Sequence, residues 1–138
     1  MHLWHASAIE LPVGTVLSPR PDYEMRWHSE SAGRILEDGR PPEALPHREA
    51  VFMCEEQQDC DNCGAYCEWL FGVVPEGPVT RHDLSHATSI DCLLSEGTSP
   101  DEPAIRELVR RYWAGEPSDL PCWEHLARSA RIVSVEPW

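Results

Sequence analysis

The segment "SPDEPAIRELVRRYWAG", Ser99 to Gly115, constrains the fold more than any other part of the chain. Ile105, Leu108, Val109, Tyr112 and Trp113 recur at i, i+3, i+4, i+7 and i+8, which is one apolar stripe along a helix. Such a stripe must be covered, so the helix has to lie against another layer of structure. Ser99 stands in position to cap it, Pro100 fits its first turn, and Glu102 three residues on completes a capping box. Gly115 supplies the stop. A second, shorter helix is predicted in "HSESAGRILEDG", with Ala32, Ile35 and Leu36 on one side and Gly39 at its end.

The rest of the chain reads mainly as short strands. Leu3–Ser7 and Val13–Leu17 are the first two, and Glu49–Cys54 is a third. "AYCEWLFGVV" gives a longer strand, followed by a turn and a short extended piece in "PEGPVTRHDL". Ile90–Leu94 fits either a brief helix or a buried loop. "CWEHL" and "ARIVSVEP" close the chain as two extended stretches with a short link. "SPRPDY" and "RPPEALPHR" interrupt regular structure with prolines. Strands, then helices, then strands again predict an α+β fold. A length of 138 residues predicts one domain over 1–138 with a real core.

The balance of charge narrows the partners. Acidic residues outnumber basic ones 24 to 11, for a net charge of -13. That field repels phosphate backbones and anionic lipid, which disfavours nucleic acid and membrane as partners. No apolar run approaches the ~20 residues that span a bilayer. The beginning of the sequence carries no basic and apolar pattern of a secretory signal, so the expected compartment is the cytoplasm. Six cysteines there imply reduced thiols or a metal site.

Several groups could carry chemistry. Cys54, Cys60, Cys63 and Cys67 form C-x5-C-x2-C-x3-C, and four thiolates can close a structural zinc site. His82 and His86 in "RHDLSH" are spare ligands. The alternative is a cysteine-rich loop with buried strand thiols. A redox C-x-x-C normally opens a helix, whereas this one precedes a strand. No nucleophile elbow, Walker loop or Gly-x-Gly-x-x-Gly fingerprint is present. Two residues are awkward in any simple core. His5 interrupts the apolar "LWHAS", and a buried imidazole needs partners for its nitrogens. It is either a core histidine bonded to a backbone carbonyl or a ligand-binding residue facing a cleft. Glu124 sits between Trp123 and Leu126 in an extended stretch, either at an edge facing water or in a site. Tyr112 and Trp113, at the end of the long helix, read as core residues that could border a pocket.

Taken together, "LWHAS", "HREAVFMC" and "WEHLARSARIVSV" resemble, in that order, three elements of the ADP-ribosyltransferase superfamily, of which the rifamycin ADP-ribosyltransferases are small members. "GAYCEWLFGVVPEGPVTRHDL" and "RYWAG" are similar to segments of small bacterial and phage proteins of that fold. The resemblance implies a split pair of small antiparallel sheets with flanking helices. It implies NAD as substrate, lying across the split. Glu124 is then the catalytic carboxylate, orienting a ribose hydroxyl and stabilising positive charge on the ribose. His5 holds the adenosine-side ribose, and the backbone at Ala6 and Ser7 holds the nicotinamide amide. Arg48 meets the pyrophosphate, and Phe52 or Trp113 stacks on a ring. Tyr23 and Tyr112 are the candidates for a pocket tyrosine. Glu49–Ala50–Val51 stands where toxin-like members have Ser-Thr-Ser. Cys122 stands where a second acidic residue or glutamine is usual. The expected activity is mono-ADP-ribosyl transfer to an acceptor, with a protein as the expected acceptor. The alternatives are a non-catalytic acidic inhibitor of a basic partner and a small zinc-stabilised interaction domain.

Overall fold

The computed structural model describes residues 2–20, 32–63 and 67–138. Among them are strands β1 (Leu3–Ser7), β2 (Val16–Leu17), β3 (Val51–Cys54), β4 (Trp69–Glu76), β5 (Thr80–Asp83), β6 (Trp123–Ala127) and β7 (Ser129–Pro137). Three helices accompany them: α1 (Ala32–Asp38), α2 (Ser85–Ser95) and α3 (Pro103–Ala114). The architecture is α+β. No helix among the described residues is long and apolar enough to cross a membrane.

All seven strands belong to one antiparallel sheet in the order β2-β7-β4-β1-β3-β6-β5. This corrects the expectation of two separate sheets, and the register explains how close that expectation came. β1 pairs with β4 over Leu3–Ser7, but with β3 only at Trp4↔Cys54. The ladder is therefore thin at one seam, with β2-β7-β4-β1 on one side and β3-β6-β5 on the other.

The connection from β6 to β7 then dictates the sheet's shape. These strands stand four places apart in the order, yet only Arg128 joins them. Four spacings of about 4.8 Å come to about 19 Å in a flat sheet. Two residues of chain reach only about 7 Å. The sheet must curl until its halves approach, and the core reflects this. Val51, Met53 and Ala127 from one half share a buried cluster with Leu3, Phe71, Val73, Ala130 and Ile132 from the other.

A second cluster joins the helices. Ile105, Val109 and Tyr112 of α3 pack with Leu36 of α1 and Ile90 of α2. The stripe read from sequence is thus the face that α3 buries. Its start differs from the expected one. Glu102, not Ser99, immediately precedes the helix, with φ -62° and ψ 142°. A residue before proline is driven out of helical geometry, so Pro103 becomes the first helical position and Pro100 stays outside. Ser99 instead accepts a 3.4 Å bond from the Asp101 N–H. Gly115 ends α3 in the left-handed region, φ 72°. The undecided stretch Ile90–Leu94 lies inside the eleven-residue helix α2.

Candidate functional site

The halves of the sheet part beyond Trp4↔Cys54, and a cavity of about 530 Å³ opens there. Its wall includes the end of β1, the start of β3, β2, and residues from all three helices. His5 and Glu124, from opposite ends of the chain, both line it. So do Ala6, Ser7 and Phe52 of the expected set.

His5 shows how the seam is held. Its Nδ1 lies 2.7 Å from the Phe52 carbonyl oxygen on β3. A carbonyl only accepts, so Nδ1 carries the proton, and in the neutral ring Nε2 is then the acceptor. It bonds a backbone carbonyl, the first of its two expected readings, and it also borders a cleft. Ser7 closes β1 with a local turn, its hydroxyl donating to the Ile9 carbonyl at 2.8 Å and accepting the Ile9 N–H at 3.1 Å.

Glu124 is buried, 4% exposed, on β6 opposite Cys54 of β3 and His82 of β5. Burial disfavours the charged carboxylate and pushes its pKa up to about 8, although the Tyr112 hydroxyl pulls the other way. The phenol oxygen lies 3.5 Å from Glu124 Oε1, a long bond.

Tyr112 is the lining residue that α3 contributes, and three contacts fix it. His82 donates from Nδ1 to the Tyr112 carbonyl at 2.8 Å. The His82 ring stacks on the phenol, centroids 4.6 Å apart and 17° between planes. His47 Nε2 lies 2.8 Å from the phenol oxygen. His47 is buried, and burial together with His82 and Arg40 lowers its pKa to about 3, so it is neutral at physiological pH. Burial also lowers the pKa of His82, against the hydrogen bond to Tyr112.

Two expected residues stand elsewhere. Trp113 is not among the residues lining the cavity, because its neighbour Tyr112 takes that direction and successive helical residues are turned by about 100°. The Trp113 indole N–H donates to the Leu36 carbonyl at 2.9 Å, and the ring stacks on His47. Arg48 is exposed on the single turn His47–Glu49 and is not part of the cavity wall; Arg20, just after β2, is. Tyr23 lies outside the described residues.

The cysteines divide. Cys54 and Cys60 are buried in an apolar cluster with Leu70. Cys67 precedes β4 rather than lying within it, and borders the cavity. Cys63 falls where no side chain is described. Among the described residues no group of three or more His, Cys, Asp or Glu side chains converges as ligands would. The spare ligands have other tasks: His82 holds Tyr112, and His86 Nε2–H donates to the Glu116 carbonyl at 2.6 Å.

Sequence reasoning missed His47 and Arg20. His47 sits in a proline-rich connector and Arg20 between two prolines, so neither carries a periodic signal. No protein-family model matches the sequence, and neither does any curated protein.

Proposed function

We propose that this chain is an NAD-dependent mono-ADP-ribosyltransferase of the ADP-ribosyltransferase-like fold. The observation that supports it is the meeting of His5 and Glu124 on one cavity at the seam of a nearly split sheet. A volume of about 530 Å³ falls within the range of small-molecule sites, roughly 300–1,000 Å³.

In this reading the bond between nicotinamide and the ribose C1′ breaks first. Nicotinamide leaves neutral with the electron pair, and positive charge develops on the ribose. The Glu124 carboxylate stabilises that charge and orients a ribose hydroxyl. A nucleophile on the acceptor then bonds to C1′ and gives its proton to Glu124 or water. A buried carboxyl that keeps its proton until substrate binds is suited to this task, because the cationic nicotinamide ring of the bound substrate favours its ionised form. His5 and the backbone at Ala6 and Ser7 hold the substrate across the seam. Arg20 replaces Arg48 as the guanidinium for the pyrophosphate. The reading needs no zinc.

Labelled NAD incubated with a cell lysate tests it. Glu124→Gln should lower transfer about a hundredfold or more, the scale of removing one group that stabilises transition-state charge. Glu96→Gln, an exposed control just past the end of α2, should transfer normally. Equal transfer by Glu124→Gln, or no NAD binding by calorimetry, overturns the proposal.

A further inference from the structure

His47, Tyr112 and Glu124 form a buried line of polar groups along the cavity wall, with exposures of 3%, 1% and 4%. The phenol between the other two has one proton, and its direction matters. If His47 Nε2 accepts that proton, the phenol oxygen faces Glu124 as an acceptor, which suits a protonated carboxyl. If Nε2 bears a hydrogen and donates, the phenol proton turns to Glu124, which suits a carboxylate.

We infer that His47 is a positioning residue that acts on Glu124 through the Tyr112 hydroxyl, turning it from acceptor to donor as the carboxyl loses its proton. The balance closes within the line. Glu124 gives its proton to the Tyr112 oxygen, and Tyr112 gives its own to His47 Nε2. His47 releases the Nδ1 proton toward Glu37 Oε1, 3.8 Å away on a carboxylate 30% exposed. Tyr112, His47 and Glu37 end neutral and Glu124 alone bears the charge, so no second charge is buried. Glu37 also accepts the His47 main-chain N–H at 2.5 Å, which holds the imidazole at this end. Among the described residues, the titratable neighbours are His82 and Cys54 beside Glu124 in register, His5 on the same cavity wall, and Arg40 near His47. Glu124's place in the reaction rests on the proposed function, but its coupling to His47 does not need NAD.

The test follows Glu124 itself. Protein carrying carboxyl-labelled glutamate is titrated by carbon NMR without NAD, and Glu124→Gln assigns the signal. Tyr112→Phe should raise the Glu124 midpoint, since it removes a donor to the ionised form. His47→Asn, whose amide is too short to reach the phenol, should raise it by a comparable amount, about half a pH unit or more. His47→Gln, which places an amide near the Nε2 position, should restore most of the original value. In the Tyr112→Phe background, His47→Asn should add nothing. A His47→Asn shift that persists in that background, or no shift in the parent, overturns the inference. NAD calorimetry on the unaltered protein separately decides the proposed function.

Discussion

The His5 imidazole bonds the Phe52 carbonyl at 2.7 Å on the cavity side of Trp4↔Cys54, the single pair that joins the halves of the sheet among the described residues. A side chain thus continues the ladder where the main chains have parted. This gives His5 two separable tasks, one at each ring nitrogen.

Asparagine separates them, because its amide can donate from the position of Nδ1 but has no second ring nitrogen. His5→Ala should lower unfolding free energy by about 1 kcal/mol or more, the net worth of the lost hydrogen bond plus lost packing. His5→Asn should recover much of that loss in denaturant titrations, yet bind NAD as weakly as His5→Ala in calorimetry. If His5→Asn binds NAD like the parent, the histidine holds only the seam.

Glu124 should make the protein less stable as pH rises. Its carboxyl titrates near 4.5 when unfolded and at about 8 when folded. At about pH 4 both states are protonated and Glu124 costs nothing. Between these values the unfolded chain releases its proton and the folded one keeps it, so unfolding is increasingly favoured. Above about pH 8 both are ionised and the penalty is complete, on the order of a few kcal/mol. Glu124→Gln removes the charge but keeps the shape. It should match the parent near pH 4 and exceed it by a growing margin up to about pH 8, measured by denaturant midpoints. A constant difference across that range would show that Glu124 is not held protonated.

Substrate binding should show the opposite trend. NAD brings a cationic ring to the cavity, and the ring favours ionised Glu124. Binding therefore releases a proton whenever the free carboxyl is protonated. Below about pH 8 affinity should rise by up to about tenfold per pH unit, then level off. Calorimetry in buffers of different ionisation enthalpy would register the proton directly. Affinity for Glu124→Gln should not follow this slope; if it does, another group carries the titration.

Local pattern made much of this structure legible, and long-range geometry hid the rest. The α3 stripe and its Gly115 stop were readable because period and cap lie within the segment itself. The Ser99 capping box failed because two prolines competed for the same start and Pro103 imposed its own geometry on Glu102. α2 was only half visible, since a histidine, His86, holds the buried position one turn before Ile90. "LWHAS" and "WEHLA" were readable as strands, and the polar residues in them marked the cavity. His47 and Arg20 were not, because they reach it through loops whose course depends on the finished sheet. The choice between Tyr112 and Trp113 turned on one helical step, finer than any apolar stripe resolves.

The most sensitive structural residue outside the cavity should be Asp83. It is fully buried at the end of β5. Its Oδ1 accepts the N–H groups of Ser85 and Cys122, each at 2.9 Å, and its Oδ2 accepts that of Ser118 at 2.6 Å. One carboxylate therefore ties the start of α2 to the loop that leads into β6 and Glu124. Burial alone would raise its pKa, but these bonds outweigh burial and hold it below the usual carboxylate value. Its stabilising effect is accordingly present above that usual value and is lost as pH falls through the lowered one. Asp83→Ala removes the acceptor of three part-buried N–H groups, and the loss should approach the lower end of the about 1–3 kcal/mol that each fully buried orphan costs. Asp83→Asn can keep the bonds from Ser85 and Cys122 but turns an amide donor toward the Ser118 N–H. Its loss should be clearly smaller than that of Asp83→Ala. In hydrogen exchange, its new exposure should centre on Ser118 rather than on Ser85 or Cys122. Equal destabilisation by the two variants would mean that the charge, and not the number of accepted bonds, holds this corner together.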